Sequence, residues 1–95
     1  MSSVPQRVEV VAGAEFVVEL EFTPSSGASW TWQPSADAEL VREERRSLAD
    51  AVGGPVLHAF TFRCARRGSF VLTFVLKRAW EAAVRRSVDI HVEVR

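Results

Sequence analysis

Apolar and polar residues alternate with a period of two along most of this chain, and that period predicts strands. The clearest run is residues 15–22. Phe16, Val18, Leu20 and Phe22 point one way, and Glu15, Glu19 and Glu21 point the other. Val17 alone interrupts the polar face. Successive side chains of a strand face opposite sides, so this one has an apolar face and a wet face. The pattern recurs. Val8 and Val10 oppose Arg7 and Glu9. His58, Phe60, Phe62 and Cys64 oppose Ala59, Thr61 and Arg63. Phe70, Leu72, Phe74 and Leu76 form another apolar face, and Val88, Ile90, Val92 and Val94 oppose Ser87, Asp89, His91 and Glu93. A short strand over 29–33 carries Trp30 and Trp32 on one face.

Turn-forming residues separate these runs. They are Ala12-Gly13-Ala14, residues 23–29 with Pro24 and Gly27, residues 34–38, residues 49–55 with Gly53-Gly54, Arg66-Arg67-Gly68, and residues 77–84. Residues 40–48 are rich in helix formers and are compatible with a helix. We read them as a polar edge strand, because everything around them is β and because charge on an edge discourages pairing between sheets. The sum is about seven short strands. The expected fold is all-β, an immunoglobulin-like antiparallel β-sandwich, as a single domain over residues 1–95. Alternate connections of such a sandwich gather at one end. The connections after strands two, four and six, at 23–29, 49–55 and 77–84, are therefore expected side by side.

Composition narrows the function. The chain has 95 residues, 47% of them hydrophobic, with 12 basic and 12 acidic side chains and no net charge. A nucleic-acid partner is not expected, since phosphate binding needs a basic surface. A membrane partner is not expected, for want of a long apolar run. One cysteine, Cys64, permits no internal disulfide. It lies on an apolar face and reads as a small buried hydrophobe. His58 shares that face and reads as a structural histidine with its hydrogen bonds satisfied. His91 falls on a wet face. Two histidines and one cysteine without close spacing give no metal site, so neither metal nor cofactor is expected. No nucleophile elbow, phosphate-binding loop or zinc-helix motif is present, and the chain reads as a non-enzyme. The run from Arg42 to Arg46 reads as a solvated, salt-bridged face. The N-terminus shows no signal-like apolar run, so a cytoplasmic location is expected unless an export signal has been trimmed.

The three loops carry a resemblance. Thr23-Pro24-Ser25-Ser26-Gly27-Ala28-Ser29-Trp30, then Val52-Gly53-Gly54-Pro55, then Arg78-Ala79-Trp80 appear in that order. The set resembles the chagasin family of cysteine-protease inhibitors, with its Asn-Pro-Thr-Thr-Gly-Tyr-x-Trp, Gly-x-Gly-Gly and Arg-Pro-Trp loops. The resemblance spans nearly the whole chain from Val8. It implies reversible inhibition of papain-like cysteine proteases, without a covalent step. It also implies that the three tips wedge into the active-site cleft, the first near the catalytic cysteine and histidine, the others against the cleft walls. The residues it places on a protease are Thr23, Pro24, Ser25, Ser26, Gly27, Ala28, Gly53, Gly54, Arg78 and Trp80. Small residues suit a narrow tip, and tryptophan and arginine are the types most enriched in binding hot spots. Bacterial members of the family are often exported.

Five features depart from the pattern. Thr23 stands for Asn, Ser25 and Ser26 for two threonines, Ala28 for Tyr, Ala51 for the first glycine of the second loop, and Ala79 for the proline of the third. They bear on affinity and target choice rather than on fold. Trp30 and Trp32 read as structural, at least one of them in the core, and Trp80 reads equally as a partner contact or as packing over the core edge. A monomer is expected. The alternative reading is an immunoglobulin-like interaction module that binds a non-protease protein or a glycan through the same loop end.

Overall fold

A computed structural model describes residues 7–33, 35, 37–48 and 54–95. Within them the chain forms seven strands: β1 (Arg7–Val10), β2 (Glu15–Phe22), β3 (Ala28–Trp32), β4 (Glu39–Ser47), β5 (Val56–Arg63), β6 (Gly68–Arg78) and β7 (Arg86–Val94). They make two sheets, one in the order β1-β7-β6-β3 and one in the order β2-β5-β4. The expected sandwich is present, and residues 40–47 are strand, within β4, while Leu48 already belongs to the connection that follows. The helix formers there yield to tertiary context: β4 pairs antiparallel with β5 over its whole length, with a bulge between Leu40 and Arg42.

Alternation along β2 becomes alternation in burial, with Phe16, Val18, Leu20 and Phe22 inside and the glutamates outside. The core between the sheets is aromatic at its centre. Phe60 and Phe62 of β5 meet Phe74 of β6 at ring distances of 5.2 and 6.0 Å. Trp32 packs edge-on against Phe62 at 5.1 Å. Trp30 is 2% exposed, and its indole Nε1 donates to the Glu21 carbonyl at 3.0 Å. That bond ties β3 of one sheet to β2 of the other. Trp30 is thus a core residue, and Trp32 is partly buried and packed against the core. Cys64 is fully buried, as its place on the apolar face suggested.

Three details differ from the sequence reading. First, one ladder is parallel: β1 lies beside β7, with Arg7 opposite His91 and Val10 opposite Val94. The seven strands alternate in direction along the chain, so two odd-numbered neighbours must run the same way. Second, Thr61 falls on the wet face by alternation, yet it is 4% exposed. It stands on the central strand of its sheet, in register between Val17 and Arg42, which shield it on both sides. Third, His58 is buried but not fully satisfied. Its Nε2 faces Glu43 Oε1 at 3.1 Å, while Nδ1 has no hydrogen-bond partner.

Alternation of direction also sets the ends of the sandwich. Phe22 pairs with Val56, Ser47 pairs with Val56, and Ala28 pairs with Arg78. The connections that follow β2, β4 and β6 therefore emerge at the same end.

Candidate functional site

The first connection is compact and self-bonded. Thr23 is extended, and Pro24–Ser26 form one turn of 3-10 helix. Proline suits the first helical position because its φ is preset and its missing N–H is not needed there. The Ser26 amide donates to the Thr23 carbonyl at 3.1 Å, and the Gly27 amide donates to the Pro24 carbonyl at 2.9 Å. Gly27 then reverses the chain at φ 80°, a left-handed conformation that glycine adopts without steric penalty. The Ser26 hydroxyl works inside the turn. It donates to the Thr23 carbonyl at 2.7 Å and accepts from the Ala28 amide at 3.2 Å. Of the two serines, Ser25 is the one turned to solvent.

The third connection starts later than its sequence suggested. β6 continues through Lys77 and Arg78 because both pair with β3. A turn follows, closed by the Glu81 amide on the Arg78 carbonyl at 3.1 Å, and the loop returns where the Arg85 amide meets the Leu76 carbonyl at 2.8 Å. Trp80 sits on this turn, 71% exposed. Its ring does not hang free. The ring atom Cη2 comes within 2.4 Å of the place where a Cβ on Gly27 would stand. Arg78 connects the same two loops. Its Nε donates to the Ser26 carbonyl at 2.8 Å, its Nη1 to Glu81 Oε1 at 3.1 Å, and its guanidinium lies 5.8 Å from the Trp80 ring centre.

The second connection is closed at its base by the Leu48 amide on the Pro55 carbonyl at 3.0 Å. Gly54 is half-buried beside that base. Gly53 and Ala51 lie outside the described residues, as does Pro34 of the 34–38 turn.

The sequence that builds this end matches a family pattern. A model of the chagasin family peptidase inhibitors, I42, matches residues 9–94. The chain belongs to that family. Among proteins with curated functions, none matches the sequence. Among solved structures, the chagasin-family chain is similar to the cysteine protease inhibitor EhICP2 from Entamoeba histolytica, at 18% identity and a TM-score of 0.82, covering 97% of this chain and 88% of that one. It is also similar to amebosin, at 19% identity and a TM-score of 0.70, covering 94% and 88%. At such identities these neighbours speak for the fold. The family membership speaks for function, and the chain is an inhibitor of cysteine proteases.

The residues that the resemblance pointed to now separate. Thr23, Pro24, Ser25, Ser26, Gly27, Arg78 and Trp80 come together at one end. Ala28 is placed differently. It is a β3 residue at 3% exposure, so its methyl group supports the loop and offers no surface to a partner. Two further exposed apolar residues lie at this end beyond those the motifs name, Leu48 on the second connection and Val84 on the third. With Trp80, they make three of the six large exposed hydrophobics among the described residues. The signal was readable: each is an apolar residue outside the alternating runs, where burial does not explain it. Apolar groups gathered on loops are what a binding surface presents. No group of three or more His, Cys, Asp and Glu placed to hold a metal occurs among the described residues.

Proposed function

We propose that this chagasin-family protein inhibits papain-like cysteine proteases reversibly, by occlusion, with the loop end as the contact surface. The 24–27 turn is the tip that enters the cleft. Trp80 is the anchor beside it, and the 48–55 connection with Gly53 and Gly54 lies against the opposite wall. The observation that carries this reading is the junction of the first and third loops. The two family motifs meet side by side, with Trp80 exposed and Ser25 at the tip.

The parts suit occlusion chemically. The tip is narrow because its residues are small, and its internal hydrogen bonds set the shape of its turn. A flat, exposed indole buries a large apolar area for little conformational entropy. No covalent step is needed, since a filled cleft excludes substrate. The protein acts as a monomer in this proposal. An interface of about 800 Å² per partner suffices for tight binding.

Titration of purified protein into papain and a cathepsin L-type enzyme, read with a fluorogenic peptide, tests this. Dose-dependent loss of activity that reverses on dilution is the expected result, with Trp80→Ala weaker by about 10-fold or more. Absence of inhibition at tens of micromolar, weaker than about 7 kcal/mol of binding, would overturn the papain-like target. A binding module for another partner would then take its place.

A further inference from the structure

We infer that Arg78 is a positioning residue of the inhibitory surface, latching the third loop to the first in the free protein so that Trp80 and the 25–27 tip meet a protease as one preformed edge. This rests on the inhibitor reading above. It gives Arg78 a different part from the direct protease contact that the family resemblance implies.

The side chain of Arg78 is 30% exposed, much less than a solvated surface cation, and two of its donor atoms, Nε and Nη1, are engaged inside the molecule. Nε bonds the Ser26 carbonyl, across 52 residues of sequence, and Nη1 bonds Glu81 in its own turn. The same group lies near the Trp80 ring. One planar guanidinium thus touches the first loop, the third-loop turn and the anchor ring. An ammonium has no rigid fork of donors with which to reproduce this.

A second contact closes the latch from the other side. The Trp80 ring rests where Gly27 has no side chain. Glycine here serves two needs together: the left-handed turn and the space for the indole. Ala79, between Arg78 and Trp80, stands where the family motif has a proline, so the third loop lacks that covalent stiffness. The Arg78 latch supplies stiffness by another route. Ordering loops on binding costs affinity, and a loop pair that is competent only part of the time binds more weakly in proportion. A rim cation that met the protease directly would act otherwise. Its loss would show chiefly in the association rate and in the salt dependence of that rate.

The experiment compares wild type, Arg78→Ala, Arg78→Lys and Arg78→Ala/Ala79→Pro. The first readout is the set of backbone amide order parameters at residues 25–27 and 79–82 of the free protein. The second is inhibition of papain at low and high salt. In Arg78→Ala both loops are expected to loosen together. The inhibition constant should weaken by about 10-fold or more, with the salt dependence of association unchanged. Arg78→Lys should recover part of the loss, and Ala79→Pro should restore part of it by stiffening the loop independently. Loops that stay ordered in Arg78→Ala would overturn the latch. So would a loss carried by salt-dependent association that Ala79→Pro leaves untouched. A wild-type protein inert toward papain would overturn the inhibitor reading for this target. The free-state order parameters would then still establish or remove the latch.

Discussion

Gly27 is the position where one missing carbon matters most. Its φ of 80° strains any residue with a Cβ, and that Cβ would stand 2.4 Å from the Trp80 ring. Gly27→Ala should therefore cost about 1 kcal/mol or more of stability and displace the indole. We expect a folded protein by circular dichroism with inhibition weakened about 10-fold or more. An alanine variant that inhibits like wild type would mean that the ring position is immaterial. His58 shows a second residue-scale effect. Burial, reinforced by Arg45, pushes its pKa below the usual 6.5, and the hydrogen bond and charge of Glu43 only partly oppose this. The unfolded chain thus takes up the proton first as pH falls. The stability contributed by neutral His58 is complete above about pH 6.5 and is lost progressively below it, as pH falls through the folded pKa. In His58→Phe that limb should vanish. Glu43 is half exposed and remains solvated, and a phenyl ring can keep the stack on Phe60, now 3.9 Å between centres. Urea unfolding at pH 7.5 and pH 5.5 checks it: wild type should lose stability between the two and the variant should not.

At the scale of elements, β4 shows how the fold protects itself. One side of this strand pairs with β5 and the other is a sheet edge. Six of its nine residues are charged, and Glu43 and Arg45 lie on the same face as the core residues Phe60 and His58 across the ladder. Arg45 spreads its guanidinium over the Phe22 ring at 5.5 Å. Inward charges of this kind deter another edge from docking. Glu43→Val/Arg45→Val should keep the strand and lose the protection, giving dimers or larger species by light scattering at concentrations where wild type stays monomeric. β4 also marks how much the sequence revealed. Strand existence was legible from period-two alternation nearly everywhere, because one buried face leaves that trace. β4 lacked the trace, and its assignment rested on its neighbours. Strand ends were less legible. Lys77 and Arg78 are polar residues held in β6 by pairing with β3, and pairing leaves no mark on composition. At the site, the motifs were visible, but the Arg78–Ser26 bond and the Trp80–Gly27 contact were not. Both join residues some 50 positions apart, and only the closed sandwich brings them together.

Across the whole molecule, the two ends have different work. One end carries the loops, and the other carries the closure of the sheet. There the two terminal strands pair, with the Arg95 amide on the Val10 carbonyl at 2.8 Å and the Ala12 amide on the Arg95 carbonyl at 2.9 Å. Arg7 pairs with Glu93, and Arg95 pairs with Glu9. These exposed pairs are each worth about 0–1 kcal/mol, so the closure rests on apolar packing. Val94 is its centre, buried at 3% exposure between Val10 and Gly68 of the neighbouring strands. Val94→Ala should cost about 1–3 kcal/mol of stability, because it removes buried methyl groups from a closely packed interior. It should leave the inhibition constant unchanged at temperatures well below unfolding. The loop end is held by its own hydrogen bonds and by Trp30, and neither depends on Val94. Trp80→Ala should give the opposite pair of results, with stability near wild type and inhibition weakened by about 10-fold or more. Thermal unfolding and protease titration on both variants would show whether stability and function are carried by separate ends. If Val94→Ala weakened inhibition as far as Trp80→Ala does, strain would be passing through the core to the loops. The sandwich would then be part of the inhibitory device, not merely its rigid support.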